Sequence, residues 1–202
     1  MIVARRTYTL ADMVALPDDS LIYEILGGDL VVRNVPDIDH AYLIIEMILF
    51  LGQAQDAGFG FVFTDPRAVA LDYPERGEAA EDVTHPDVFF LRSGREHLNG
   101  QHAVEGVPDL VVEMLSRTTR AEHRRGGAKW DAYERHGVPY YWQLDSQRRI
   151  VAQYSIDGEP YVAGRYGVPT ILNERDVLTS PLFPSLTVPV RRVFRNVGRR
   201  YR

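Results

Sequence analysis

Three residues of this chain have the types and setting that chemistry requires: Asp87 follows Pro86 at the head of an apolar run, Glu113 interrupts a second one, and Lys129 lies on a helical pattern. A carboxylate in the middle of an apolar strand is costly unless it is paired or bound to a cation. Glu113 is such a group, because strand alternation puts Leu110, Val112 and Met114 on one face and Val111, Glu113 and Leu115 on the other. Asp87 brings a second carboxylate to its side. Two anions held close repel, and one pKa rises, unless a divalent cation neutralises them. Magnesium takes oxygen ligands, usually including only one or two protein carboxylates, and the main-chain carbonyl of Met114 offers a third oxygen. Lys129 completes the set if its helix turns Lys129 and Tyr133, four apart, toward the sheet. An ammonium there holds the attacking water or offsets charge in the transition state. The chemistry expected is magnesium-assisted cleavage of a phosphodiester.

Each residue also has a plainer account. Glu113 can pair with an arginine such as Arg117 or Arg120, Asp87 can serve a turn or a cap, and a helical lysine is commonly a solvated surface charge. Only the combination points to a site.

The elements that must position these groups follow from pattern. Residues 7–17 read as a short helix capped by Thr7 or Thr9 and ended by Pro17. Two β-rich runs around Gly27-Gly28 read as a hairpin. From 38 to 57, Leu43, Ile44, Met47, Ile48 and Leu51 recur at helical spacing, with Gly58 as the stop. Residues 59–63 and 68–71 are strand candidates, and 72–84, with Pro74 and Gly77, reads as a mobile loop. The runs 88–91 and 110–115 have the near-continuous apolar character of central strands. Between 119 and 136, Ala128, Lys129, Ala132 and Tyr133 permit a helix, which Gly137 and Pro139 close. Residues 140–144 form a buried strand, with Trp142 in the core and Gln143 facing solvent, and shorter strands follow at 150–156, 161–163 and 168–172. The order predicts an α/β fold, an α+β mixed sheet flanked by helices.

With 202 residues, 45% of them hydrophobic, the chain can bury a sizeable core in one domain. The absence of cysteine excludes disulfides, zinc–thiolate sites and thiol nucleophiles. No Gly-x-Ser-x-Gly elbow or His-Glu-x-x-His pair supports a small-molecule hydrolase. The longest apolar stretch, 41–51, contains Glu46 and falls short of the roughly 20 residues that span a bilayer; a soluble, cytoplasmic protein without a signal peptide is expected. A net charge of −5 argues against broad attraction to phosphates. Residues 191–202 nevertheless carry six arginines and no acid, which reads as a solvated basic C-terminal tail or as one that grips phosphates.

At these residues the chain resembles the Uma-type restriction endonucleases, a branch of the PD-(D/E)XK nuclease superfamily. The matching segments are 23–30 with Glu24, His40 at the start of the long helix, 85–88 with Asp87, 108–116 with Glu113, 129–133 with Lys129, and 137–142 followed by Asp145. They run in order over about residues 8 to 190. The resemblance implies a restriction-endonuclease-like core over 1–190 with an N-terminal β-hairpin and flanking helices, and with 191–202 as the tail. It implies that Asp87 and Glu113 bind Mg²⁺, with Mn²⁺ as the alternative ion. The family's strand lysine is Leu115 here, and its role passes to Lys129 on the following helix. The resemblance adds Glu24, as a holder of metal-bound water or a second metal, and His40, as an orienter of phosphate or water; the plainer accounts are a strand-surface acid and a locally bonded helix residue. It also makes Gln143 a minor candidate for flanking the site, beside the plainer account of a strand residue facing solvent. The chain departs from the family at Arg117, where proline is common after the serine, and at His123, near a common aspartate.

The expected function is therefore a metal-dependent endonuclease hydrolysing DNA phosphodiester bonds and leaving a 5′-phosphate. It would act as a homodimer, with no organic cofactor and no membrane partner. The alternative is a catalytically weak or inactive nuclease-fold module that binds nucleic acid or protein.

Overall fold

Thr9 begins the first element. Its hydroxyl accepts from the N–H of Asp12 while the Asp12 carboxylate accepts from the N–H of Thr9, a reciprocal cap that starts α1 at Leu10–Val14. The computed structural model describes residues 6–17, 19, 21–33, 37–115, 120–157 and 159–198. Strands β1 (Ile22–Leu26) and β2 (Asp29–Arg33) pair antiparallel around Gly27 at φ 60° and Gly28 at φ 78°. Two consecutive positive φ angles are what a two-residue hairpin turn needs and what glycine permits. That turn fixes the register at Ile22↔Arg33 and Glu24↔Val31, which sets Glu24 and Arg33 diagonally on one face.

Helix α2 (Ile38–Asp56) is capped by Asp37, whose carboxylate accepts from the N–H of His40 at 2.9 Å. Next come β3 (Gly60–Thr64), β4 (Ala68–Ala70), α3 (Tyr73–Arg76), β5 (Val83–Thr84), β6 (Val88–Arg92), β7 (Ala103–Val104) and β8 (Leu110–Leu115). After them run α4 (Ala128–Arg135), β9 (Tyr140–Asp145), β10 (Ile150–Asp157), β11 (Arg165–Tyr166), β12 (Thr170–Asn173), β13 (Val177–Leu178), β14 (Val188–Pro189) and α5 (Val190–Val193).

The strands form a mixed α/β architecture. The large sheet runs β11-β10-β9-β8-β6-β3, with β12 also on β10, and a smaller one runs β2-β1-β5-β4-β7. Within the large sheet β8 and β9 are parallel, so the chain must cross over between them, and α4 is that crossover. One face buries Leu43, Met47 and Phe50 of α2 against Val88, Phe90, Leu110, Val112 and Met114. The other buries Trp130 and Tyr133 of α4 against Phe89, Leu91, Val111 and Tyr141. Alternation along β8 therefore points Glu113 toward α4. No helix among the described residues is long and apolar enough to cross a membrane.

Two local expectations differ. The segment read as a loop at 72–84 is organised by Asp72, whose buried carboxylate accepts from the N–H groups of Glu81 and Asp82. It holds α3, a 3₁₀ turn and β5. Residues 161–163 are not a strand, because Tyr161 sits at φ 63°, outside the extended region; the strand that pairs with β10 is β11. The short β7, β13 and β14 and helix α5 carried too few residues to show a period.

One tie between elements governs the site. The Asp82 carboxylate accepts from the Gly27 N–H at 2.8 Å in the hairpin turn, from Arg135 at 2.7 Å and from His136 at 2.7 Å at the end of α4. It thereby fixes the hairpin carrying Glu24 against the helix carrying Lys129. Burial opposes its ionisation, but bonds from His136 and Arg135 prevail and hold its pKa down at about 2. A depressed acid stabilises the fold above its unfolded pKa of about 3.9, and that stability is lost as pH falls toward about 2. Asp82→Ala should cost about 2 kcal/mol, discounted for the half-exposed Arg135. Urea melts should find the deficit at neutral pH and see it shrink below roughly pH 4; equal stability at neutral pH would refute this tie.

Candidate active site

The register of the large sheet assembles the acids. Strand β6 pairs with β8 through Val88↔Val112, and one further step sets Asp87 across from Glu113. The Asp87 Oδ2 accepts from the Met114 N–H at 2.7 Å, and Oδ1 lies 3.0 Å from His40 Nε2. On the other side Lys129 Nζ sits 2.8 Å from Glu113 Oε1 and 2.8 Å from Glu24 Oε1, with a long 3.4 Å contact to the His85 carbonyl. Glu24 Oε1 also accepts from the His85 N–H at 2.7 Å. The structure thus brings Asp87, Glu113, Lys129, Glu24 and His40 into one buried cluster.

Two members were not foreseen as site residues. Arg33 donates to the His85 carbonyl at 3.1 Å and reaches Glu24 at 3.6 Å and Asp87 at 3.9 Å. Its signal was in the hairpin, since the glycine turn puts it on the face of Glu24. Tyr133 donates its hydroxyl to Glu113 Oε1 at 2.7 Å, one helical turn from Lys129. A further signal went unread: Lys129 is the one lysine in a chain with 22 arginines. A compact ammonium can sit between two carboxylate oxygens where a planar guanidinium does not fit as well.

Charge in the cluster does not balance. Three carboxylates face two fixed cations, Arg33 and Lys129, in a largely buried setting. Burial and the neighbouring Glu113 charge push the Asp87 pKa up. Burial acts the same way on Glu113, but the Lys129 and Arg33 charges override it and hold the acid well below the usual range. Lys129 is kept charged, since Glu113 and Glu24 outweigh the burial that disfavours its ammonium. Burial drops His123 to about 3, so its ring is neutral; Nδ1 lies 2.8 Å from the Tyr141 hydroxyl.

Two carboxylate oxygens of the cluster are open. Glu113 Oε2 and Glu24 Oε2 are buried without a hydrogen-bond partner, and the excess is of negative charge. In an extended strand a residue's N–H and C=O leave on the same edge, so the Met114 carbonyl lies along the edge that faces Asp87. No three His, Cys, Asp or Glu side chains among the described residues gather closely enough to hold a metal by themselves. Two acids, a carbonyl and water are the set a magnesium ion takes.

Other expectations resolve differently. Gln143 is buried, not solvent-facing; it pairs in register with Glu113 and donates to the His123 carbonyl. Arg120 pairs with Asp145 at 2.6 Å and not with Glu113, while Ser116 and Arg117 lie outside the described residues. Asp109, which like Asp87 follows a proline, is taken up by Arg92 and Arg95. In the arginine-rich end, Arg195 binds Glu46 at 2.7 Å and Val193 and Phe194 are buried; Arg199, Arg200 and Arg202 are outside the described residues.

Comparison with known proteins gives a family and a fold. The model of the Uma2 family, described as "Putative restriction endonuclease", matches residues 10–191. Among solved structures, the chain is similar to the crystal structure of "a putative nuclease belonging to DUF820" from Anabaena variabilis ATCC 29413, at 16% sequence identity and a TM-score of 0.67, covering 93% of this chain and 98% of that one. At that identity the likeness speaks for the fold. No curated protein matches.

Proposed function

The chain belongs to the Uma2 family, described as "Putative restriction endonuclease", and from that premise we propose that it is a metal-dependent endonuclease hydrolysing DNA phosphodiester bonds. The observation that carries the reading is the buried cluster of three carboxylates against two cations, with an oxygen on Glu113 and one on Glu24 that have no hydrogen-bond partner. Asp87, Glu113 and the Met114 carbonyl would hold Mg²⁺ or Mn²⁺. Such an ion supplies Lewis acidity and lowers the pKa of bound water.

The chain's own groups do the positioning. His40 and the Met114 N–H fix both oxygens of Asp87, so the acid presents one geometry. Tyr133 and Lys129 fix Oε1 of Glu113 and leave Oε2 open. Lys129 stays protonated and works as a cation, not as a base. Its 3.4 Å contact to the His85 carbonyl is its weakest, and that N–H is the one a water or a phosphate oxygen takes over, offsetting the charge that develops at phosphorus. Attack by water opposite the 3′-oxygen forms the new P–O bond as the P–O3′ bond breaks; the proton the water loses goes to solvent, the leaving 3′-oxygen takes one from it, and the products are a 5′-phosphate and a 3′-hydroxyl. Two copies acting together, one per strand, would make a double-strand cut.

The complete burial of Lys129 favours a second reading, a fold that binds nucleic acid without cutting it. Incubation with plasmid DNA separates the two. Nicking or linearisation with Mg²⁺ that stops with EDTA supports the endonuclease, and intact plasmid at millimolar Mg²⁺ and Mn²⁺ supports the binding module.

A further inference from the structure

An anionic protein with an anionic site must still hold a polyanion beside that site, and this requires a local surface of the opposite sign. One cavity has it. A groove of about 620 Å³ lies on the α4 side of the large sheet, with Leu115, Gln143, Arg120, Arg124, Arg125 and Arg148 in its wall. It adjoins the acids, because Leu115 is two residues beyond Glu113 on the same face and Gln143 is the register partner of Glu113. Its four arginines outnumber Asp145 and Asp157, the acids that line it.

The arginines divide by occupation. Arg120 is bound to Asp145, and Arg125 donates to the Tyr166 carbonyl and lies 5.4 Å over the Trp130 ring. Arg124 and Arg148 are exposed, and neither has an ion-pair or side-chain hydrogen-bond partner among the described residues. The wall also holds two buried nitrogens without partners, His123 Nε2 and Trp130 Nε1. A buried indole N–H left unpaired is uncommon and calls for an acceptor. Free guanidinium groups lining a groove are matched by a ligand rich in anionic oxygens.

We propose that this groove binds the phosphodiester backbone of a DNA strand next to the scissile bond, with Arg124 and Arg148 each contacting a phosphate. The proposal rests on the nuclease reading for its substrate. Phosphate contacts fix where a duplex lies without reading its sequence, so the groove sets the register of the strand against Asp87 and Glu113.

The test is the anisotropy of a fluorescein-labelled DNA duplex titrated with the full chain in EDTA, where no cutting occurs, over a range of salt. Arg124→Ala with Arg148→Ala should weaken binding about tenfold at low salt and reduce the salt slope by roughly 1.8, two phosphates at about 0.9 each. Both residues are exposed and unpaired, so the fold does not depend on them. Arg191→Ala with Arg192→Ala serves as the comparison. The proposal is overturned if the groove variant binds as the native chain does, if the loss falls on the comparison variant instead, or if the native chain binds no duplex at low salt. Groove-dependent binding by a chain that cuts nothing in Mg²⁺ would sink the nuclease reading alone.

Discussion

Glu113→Gln leaves a folded protein that neither binds the metal nor cuts DNA. The amide keeps the shape of the side chain, and its oxygen still accepts from Lys129 and Tyr133, which hold Oε1 at 2.8 Å and 2.7 Å. What it removes is charge. With one carboxylate gone, the two remaining acids balance Arg33 and Lys129, and the cluster no longer calls for a cation. Cleavage should fall on the order of a thousandfold or more, the scale of losing a group that acts on the transition state. Thermal stability should hold within about 1 kcal/mol, because a buried excess charge is relieved as one ionic bond is weakened. The Asp87 pKa supplies an independent readout: burial and Glu113 both raise it, so neutralising Glu113 should bring it down, as carboxyl NMR would record. Undiminished magnesium-dependent cleavage by this variant would refute the assignment of Glu113.

Lys129→Met should cost stability before it costs anything else. The ammonium separates Glu24 and Glu113, and without it two buried carboxylates face each other with only Arg33 nearby. Removing one partner of a buried ion pair costs about 3–5 kcal/mol, a large part of the ~5–15 kcal/mol that holds a domain together. The pair can recover by sharing a proton, which raises one glutamate pKa above its unfolded value of about 4.3. An acid raised on folding stabilises most below its unfolded pKa, and the benefit is lost as pH rises through the folded one. The Lys129→Met chain should therefore melt nearest to the native temperature at roughly pH 4 and fall further behind it toward pH 8. Adding Glu24→Gln should restore much of the loss at neutral pH. A deficit independent of pH would mean that packing, and not charge, gives Lys129 its place.

Much of this arrangement was written in the chain. The central strands were legible because β6 and β8 are apolar on both faces, and α2 because its apolar residues repeat at helical spacing over 19 residues. Asp87 and Glu113 stood out as charges set against apolar runs, and Glu24 and His40 entered through the family resemblance. Arg33 was missed because its role is a diagonal across the hairpin, visible only once the glycine turn fixes the register. Gln143 was assigned to solvent because a parallel partner and a crossover loop cover it, and both are contacts distant in sequence. The same holds for Asp72, whose carboxylate organises a stretch with two loop-forming residues into a turn and a strand. Local pattern reports local structure, and these residues are placed by long-range pairing.

The central claim is that Asp87 and Glu113 meet at one cation. Titration of Mn²⁺ into the chain by calorimetry, with Asp87→Asn and Glu113→Gln alongside, tests it most directly. The account predicts an ion bound per native chain and no binding by either variant. Binding that survives in both variants, or none to the native chain at millimolar metal, would contradict it.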